Sequence, residues 1–198
     1  GFVGLFHPHV DSHVQTEEQI ERFLNDTNVD LCFDTGHHVY GGGEPISFYK
    51  KWAKRIPYIH FKDCDLAVKA KMDENKWSFA KAVTEDIMVE PGKGSIDFTA
   101  MHKALDECGY DGWCVVEQDL FPVKSFDVPL EKATIGRENL RKAGFSEEVI
   151  ADATGYADTD NEEILKARAL YAEKLKEHKA VCDEEAEKVK AAGGLFIP

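Results

Sequence analysis

The sequence predicts an α/β fold in which four βα units form half of an eight-unit (β/α)8 barrel, followed by a helical extension. Short apolar runs alternate with segments of helical pattern over residues 1–145, and this order predicts a parallel sheet with crossover helices. The apolar runs also end directly in His, Asp or Glu. In a parallel barrel, charge is tolerated mainly at the carboxyl ends of the strands, where loops build the active site. Four segments show this pattern: GLFHPH at 4–9, LCFDTGH at 31–37, YIHFKD at 58–63 and WCVVEQD at 113–119.

The first elements follow from clear start signals. Strands are predicted at the four apolar runs, over residues 2–6, 30–33, 56–61 and 113–116. The first helix opens at Thr16, because its TEEQ is a capping box, and it runs to about Asn25. Pro45 suits the first turn of the next helix, which runs to about Lys54.

The later helices are predicted from caps and stops. A short helix lies around residues 77–83, after a long loop that follows the third strand. Asp97 is the predicted N-cap of a helix to about Cys108. Gly144 closes a last helix around residues 130–143, which completes the four units.

Residues 146–198 differ in composition from residues 1–145. They are strongly charged and rich in Ala, Lys and Glu, and a second capping box from Thr159 to Glu162 predicts a helix to about Ala192. We therefore expect a half barrel at 1–145 and a helical C-terminal extension at 146–198.

Half a barrel would leave two open sheet edges. A complete (β/α)8 barrel typically has about 250 residues, and only four βα units can be counted in this chain. We expect this chain to be the C-terminal half of such a barrel. Its exposed edges would then pair with a missing N-terminal half or with a second copy of the chain.

Composition excludes several classes of partner. Asp and Glu outnumber Lys and Arg by 37 to 24, and no basic stripe is present, so we expect no nucleic-acid partner. No run reaches the roughly 20 apolar residues of a membrane span, and no signal peptide is visible, which predicts a cytoplasmic protein. The five cysteines are scattered without a CxxC pair, so reduced thiols are expected instead of disulfides or a thiolate zinc site.

Three successive strand ends supply an Asp, a His and a Glu at matching depth: Asp34, His60 and Glu117. Each residue alone has a structural alternative: Asp34 could cap a helix, His60 could be a hydrogen-bonded core residue, and Glu117 could be ion-paired. Together they predict a divalent metal site. Nitrogen and oxygen ligands without thiolate favour manganese, cobalt, iron or zinc over calcium, and suit magnesium less well. Lys62 and Asp63 follow His60 directly, and a carboxylate or a backbone carbonyl there can fix the tautomer of the His60 ring.

Histidines near these strand ends are candidates for proton transfer. His37 lies three residues after Asp34 and can face the same site, whereas it stays open whether His7 and His9 both reach it, since Pro8 separates them. The glycine-rich segments at 41–43 and 91–94 lack the spacing of a phosphate loop, and we expect them to be flexible or covering loops.

DTGH, HFKD and VVE, in this order and spacing, resemble the second half of the xylose isomerase-like TIM-barrel superfamily, over residues 1–145. The stretches SFAKAV, VEPGKGSIDF and GYDGWCVVEQD are similar to its myo-inosose dehydratase branch, whose substrate is the cyclic ketone scyllo-inosose. This resemblance implies a divalent metal, commonly manganese or cobalt, held by Asp34, His60 and Glu117. His7 stands where many isomerases of the superfamily carry a glutamate ligand, so the fourth ligand stays open.

The leading functional hypothesis is a metal-dependent lyase that removes water from a polyhydroxylated cyclic ketone or keto-sugar. The metal would polarise the carbonyl, His7 or His9 would take the adjacent proton, and His37 would hold or protonate the departing hydroxyl. One alternative is a sugar isomerase or epimerase that uses the same metal. The other alternative is a non-catalytic half barrel that serves in assembly or binding.

Overall fold

The computed structural model of the protein describes residues 3–123, 125 and 127–145. The predicted extension at 146–198 lies outside the described residues. Helices and strands alternate along the chain in the following order: α1 Glu17–Asp26, β1 Cys32–Asp34, α2 Thr35–Tyr40, α3 Pro45–Trp52, a 3-10 turn Ala53–Arg55, β2 Tyr58–Phe61, β3 Asp63–Cys64, α4 Leu66–Asn75, α5 Phe79–Thr84, β4 Met88–Val89, α6 Phe98–Cys108, β5 Trp113–Val116 and α7 Asp127–Lys142.

The main sheet of the described residues is parallel and has the order β1-β2-β5. In its register, Asp34 lies beside His60, and His60 lies beside Val115. Because the strands are parallel, their carboxyl ends meet at one edge of the sheet. The predicted parallel α/β fold is confirmed.

The core of this fold lies between the sheet and its crossover helices. Leu31, Phe33 and Ile59 are buried on the strands, and Phe48 of α3 and Met101 of α6 are buried on the helices. Ring stacking joins the two layers, since the ring centroids of Phe33 and Phe48 are 5.3 Å apart. Among the described residues, no helix is long and apolar enough to cross a membrane.

The predicted helix signals act as local physical chemistry requires. Thr16 and Gln19 form the reciprocal capping box of α1, and Pro45 occupies the first turn of α3. The side chain of Asp97 accepts the Ala100 amide and begins α6. These predictions from cap residues are confirmed, and the helix ends differ from the predicted ones by at most two residues.

The predicted first strand at residues 2–6 is wrong in extent. Within residues 3–6, the pairing is a single parallel bridge between Phe6 and Leu31, in which the Cys32 amide donates to the Phe6 carbonyl at 2.9 Å. Val3 is 82% exposed, so no packing stabilises an extended strand at that end. Pro8, which has no backbone N–H, prevents continued pairing at the other end.

The long loop predicted after the third strand is also wrong. Asp63–Cys64 pairs antiparallel with Met88–Val89, and the chain between them contains α4 and α5. Asp65 caps α4 by accepting two backbone amides. The strands β3 and β4 are only two residues long, too short to show an alternating pattern in the sequence.

Candidate metal centre

Four polar side chains meet at the carboxyl edge of the main sheet. Asp34 ends β1, His60 lies in β2, Glu117 follows β5, and His7 follows the bridge at Phe6. One donor atom from each residue lies within 4.8 Å of the other three. His60 Nδ1 is 2.6 Å from Glu117 Oε2 and 3.6 Å from Asp34 Oδ2, and His7 Nε2 is 3.6 Å from the same Asp34 oxygen. We call these four residues the strand-end cluster.

The donor atoms of the strand-end cluster are buried, and none has a geometrically acceptable hydrogen bond within the described part of the chain. Buried polar atoms are normally hydrogen-bonded, so four convergent exceptions call for an explanation. Two carboxylate oxygens and two imidazole nitrogens are suitable ligands for a divalent transition metal. The cluster therefore fits a divalent cation. Cys32 forms a second, overlapping group with His7 and His60, so its thiol lies close to the cluster.

The two oxygens of Asp34 have different environments. Oδ1 accepts the His37 amide at 2.9 Å and so caps α2, whereas Oδ2 faces His7 and His60. The helix-cap alternative and the ligand interpretation of Asp34 thus describe different atoms of one side chain. The short helix α2 was not predicted.

The electrostatic environment of the strand-end cluster favours a positively charged group. Burial would raise the pKa of Asp34, but His60 and His7, together with His37 and Lys62, hold it well below its usual range. The His60 ring likewise lowers the pKa of Glu117. The Asp34 carboxylate, ahead of Cys32 and Glu117, raises the pKa of His60 to about 12. Two ionised carboxylates therefore surround a position where a cation is electrostatically favoured.

Two further residues of the site, Lys62 and Asp119, are not among those predicted from the sequence. The Lys62 side chain is fully buried, and its Nζ donates to Asp119 Oδ2 at 2.9 Å. Lysine is almost never fully buried unless it is paired, so a Lys directly after an apolar strand was the available signal. Nothing comparable marked Asp119, because it follows the end of β5 by three residues.

The three predicted catalytic histidines lie close together, but in different roles. His7 belongs to the strand-end cluster, whereas His9 packs on His37 with ring centroids 3.8 Å apart. Burial lowers the pKa of His37 to about 4, which keeps this ring neutral near pH 7. His9 Nδ1 lies 2.8 Å from the Val10 carbonyl, which can only accept, so its proton is on Nδ1.

Aromatic rings border the histidine pair. The ring of Phe79, at the start of α5, lies 6.2 Å from both His9 and His37 and 5.5 Å from Tyr40. The helix predicted around residues 77–83, which the structure has as α5, therefore supplies an apolar wall beside the polar cluster.

Of the two groups expected to fix the His60 ring, a carboxylate or a backbone carbonyl, the carboxylate of Asp63 does not do so. The Asp63 carboxylate instead accepts backbone amides from Gly92 and Gly94, each at 2.9 Å, from Cys64 at 2.9 Å and from Ile96 at 3.2 Å. Because adjacent residues of a strand point to opposite sides, Asp63 lies away from the cluster. The segment at 91–96, expected to be a flexible or covering loop, is bound to this carboxylate.

A family model described as "Xylose isomerase-like TIM barrel" matches residues 1–143. An inosose dehydratase of Clostridium botulinum (strain Eklund 17B / Type B) is 38% identical over 141 residues, which cover 70% of this chain and 47% of that protein. The rhizopine catabolism protein MocC of Rhizobium meliloti is 39% identical over 164 residues, covering 79% of this chain and 50% of that protein. The chain thus spans about half the length of the curated relatives it matches.

Solved structures with similar folds include the 3-keto-D-glucoside 4-epimerase YcjR of E. coli, at 16% identity and a TM-score of 0.46. That match covers 71% of this chain and 45% of the epimerase. The IolI protein, solved with a bound zinc atom, is 24% identical with a TM-score of 0.45, and the match covers 75% of this chain and 48% of IolI.

Proposed function

The chain belongs to the xylose isomerase-like TIM barrel family, and on that premise we propose that its strand-end cluster is the metal centre of a dehydratase. The reaction would remove water from a polyhydroxylated cyclic ketone such as scyllo-inosose. The observation that carries this proposal is the convergence of four buried donor atoms, none of which has a hydrogen bond within the described residues. The similarity to inosose dehydratases supports the choice of reaction and substrate class.

The proposed ligands are Asp34, His60 and Glu117, with His7 as the fourth. His7 is assigned to the metal because its Nε2 faces the same Asp34 oxygen as His60 Nδ1 does. We favour manganese or cobalt as the ion. A bound divalent ion would supply Lewis-acid polarisation of the substrate carbonyl.

With His7 used as a ligand, His9 is the proposed general base. Its proton is on Nδ1, against the Val10 carbonyl, so its Nε2 lone pair is available to accept the proton next to the carbonyl. His37 is neutral, which suits a ring that holds the departing hydroxyl by a hydrogen bond better than one that protonates it. Phe79 would pack against the apolar face of the ring substrate.

Metal content and product mass together test the proposal. The full chain, loaded with manganese or cobalt, would be assayed with scyllo-inosose in deuterated water, and the product analysed by mass spectrometry. Loss of one water molecule supports the dehydratase. A product of unchanged composition that carries solvent deuterium would instead indicate an isomerase or epimerase.

A matched variant separates binding from chemistry. His9→Asn should retain the metal and lose turnover, because His9 is outside the ligand set. A chain that binds no divalent metal, turns over no keto-sugar and associates tightly with another polypeptide would favour the non-catalytic half barrel.

The open edge of β5 bears on possible partners. Trp113 is 53% exposed and Val116 is 43% exposed, and both lie in a strand that has a neighbour on one side only within the described residues. We propose that this edge pairs with a further barrel strand, supplied by an N-terminal half barrel or by a second copy of the chain. Sedimentation equilibrium on chains of confirmed mass tests this. A stable monomer with slow amide exchange in Trp113–Val116 would contradict it.

A further inference from the structure

The ammonium group of Lys62 lies at the centre of the site, next to the strand-end cluster. It is 2.9 Å from Asp119 Oδ2, 3.0 Å from His37 Nε2, 3.3 Å from Glu117 Oε1 and 3.5 Å from Asp34 Oδ2. Three of these neighbours are carboxylates, which keep a buried ammonium charged. The fourth neighbour is His37 Nε2, and the contact with Lys62 determines whether this nitrogen carries a proton.

An ammonium group only donates hydrogen bonds, so His37 Nε2 must accept one. In a neutral imidazole one nitrogen donates and the other accepts, which places the His37 proton on Nδ1. Nε2 is also the nitrogen nearer the proposed ligands, since it lies 4.0 Å from Asp34 Oδ2. His37 Nδ1 is buried and has no hydrogen-bond partner within the described residues.

The spacing of Asp34 and His37 would otherwise allow both side chains to bind one ion. Residues three apart on a helix lie on the same face, and the His37 ring is as deeply buried as the Asp34 carboxylate. Yet Nε2 of His37 contacts an ammonium donor, whereas Nε2 of His7 and Nδ1 of His60 have no hydrogen bond to any described residue. The contact with Lys62 thus separates one histidine of the site from the other two.

We propose that Lys62 is a positioning residue that fixes His37 in the Nδ1–H form and keeps it out of the ligand set. The ammonium occupies the Nε2 lone pair, which is the group that would otherwise bind the ion. The exclusion of His37 from the ligand set rests on the proposed function, whereas the tautomer does not.

Nitrogen NMR of the ¹⁵N-histidine-labelled full chain, without metal, tests the tautomer. The His37 resonances are assigned by their loss in His37→Gln. In the unmodified chain we expect a protonated Nδ1 and an unprotonated Nε2. Lys62→Met should shift the His37 proton toward Nε2. Lys62→Arg retains a donor and should keep His37 in the Nδ1–H form.

Lys132→Met is the matched control, because Lys132 is a lysine with an 18% exposed side chain that, like Lys62, pairs with a buried carboxylate, that of Glu90. It should leave the His37 resonances unchanged. Protonated Nε2 in the unmodified chain would overturn the proposal, and this measurement holds even if Lys62→Met fails to fold.

A zinc titration followed by the same spectra tests the exclusion from the ligand set. In the unmodified chain, His7 Nε2 and His60 Nδ1 should shift as ligand nitrogens do when zinc is added, and the His37 nitrogens should not. In Lys62→Met, a ligand-type shift of His37 Nε2 is expected. A ligand-type shift of His37 in the unmodified chain would overturn the proposal. Absence of zinc binding would overturn the proposed function alone, because the tautomer is measured without metal.

Discussion

Two buried aspartates, Asp34 and Asp63, show what distinguishes a candidate ligand from a structural carboxylate. Asp34 is 2% exposed and Asp63 is fully buried, and both lie at or just after the end of an apolar strand, Asp34 after Phe33 and Asp63 after Lys62. The oxygens of Asp63 accept four backbone amides, so the protein itself uses this carboxylate completely. Asp34 gives one oxygen to a helix cap and leaves the other facing two imidazoles. A buried oxygen without a hydrogen bond to the described residues is thus a better indication of a metal ligand than burial of the carboxylate alone.

The electrostatics of the two carboxylates differ in the same way. Burial raises the pKa of Asp63, although four backbone amides act against this. At Asp34 the same effect of burial is overcome by His60, His7 and the neighbouring positive charge of Lys62. Backbone donors satisfy the Asp63 carboxylate within the fold, whereas groups that can carry positive charge keep the Asp34 carboxylate ionised, as a bound cation would.

The largest expected effect is on metal binding. Asp34→Asn retains an oxygen for the α2 cap but loses the ligand charge, and His60→Ala removes a ligand. Loss of an outer partner alone costs about 10- to 100-fold in metal affinity, so each variant should lose about 100-fold or more. Calorimetric titration with manganese or zinc gives the affinity, and circular dichroism checks the fold. Unchanged stoichiometry and affinity in both variants would exclude the proposed site.

Asp63→Ala should have the opposite outcome. Removing this carboxylate leaves buried backbone amides of Gly92, Gly94 and Ile96 unpaired, which should lower the free energy of unfolding by about 3 kcal/mol. Urea denaturation measures this loss. Metal affinity per folded chain should stay within about threefold, and a loss as large as that of Asp34→Asn would break the distinction between the two carboxylates.

Parts of the strand-end cluster could be predicted because they depend on local pattern alone. Asp34, His60 and Glu117 each follow an apolar run, and parallel pairing then brings such ends together without further information. The capping box at Thr16 and the cap at Asp97 are similarly local, because their partners are within three residues.

The rest depends on contacts that the local pattern does not contain. The direction of the chain at His7 depends on where strand pairing stops after Phe6. This direction determines that His7, and not His9, lies in the strand-end cluster. The roles of Lys62 and Asp63 follow from which side of the strand end each faces, and their partners are about 30 to 60 residues away in sequence. The binding of Asp63 by the loop at 91–96 also depends on β4, a two-residue strand with no periodicity of its own.

A smaller effect is expected at Gly94, where a substitution tests the contact between Asp63 and the loop at 91–96 from the loop. A Cβ at Gly94 would clash with Asp63 Oδ1 and lie 2.7 Å from the Cys64 carbonyl. Gly94→Ala should therefore cost about 2 kcal/mol of stability, as overpacked sites do, with unchanged metal affinity. Gly4→Ala is the control, because a Cβ there meets no atom within 4 Å. Equal stability of both variants would mean that the loop at 91–96 is not tightly held.

The smallest expected effect concerns His38. Like Asp34, it is buried with one polar atom hydrogen-bonded and one not, but no cluster of potential metal ligands among the described residues includes it. Its Nε2 pairs with Glu17 at 3.0 Å, while its Nδ1 is buried without a hydrogen bond to any described residue. Burial lowers the pKa of His38 from 6.5, although Glu17 acts against this. The unfolded chain therefore binds a proton more readily, so stability is fully present above about pH 6.5 and falls as the pH drops toward the lower folded pKa.

His38→Gln should reduce this pH dependence, because glutamine does not titrate. Thermal unfolding of the metal-free chain between pH 7 and pH 5 measures the slope. Metal stoichiometry should be unchanged, since His38 belongs to neither group of potential metal ligands in the described part of the chain. Identical slopes in both chains would mean that the buried ring is protonated equally in the folded and unfolded states.

The cap formed by Asp34 would also affect the entropy of ion binding at the proposed site. Immobilising a free side chain on binding costs up to about 1 kcal/mol, but the bond from the His37 amide to Oδ1 fixes the Asp34 rotamer in advance. The second oxygen is therefore preorganised, and no rotational freedom of this side chain remains to be lost when an ion arrives. The helix cap would thus contribute to affinity without contacting the ion.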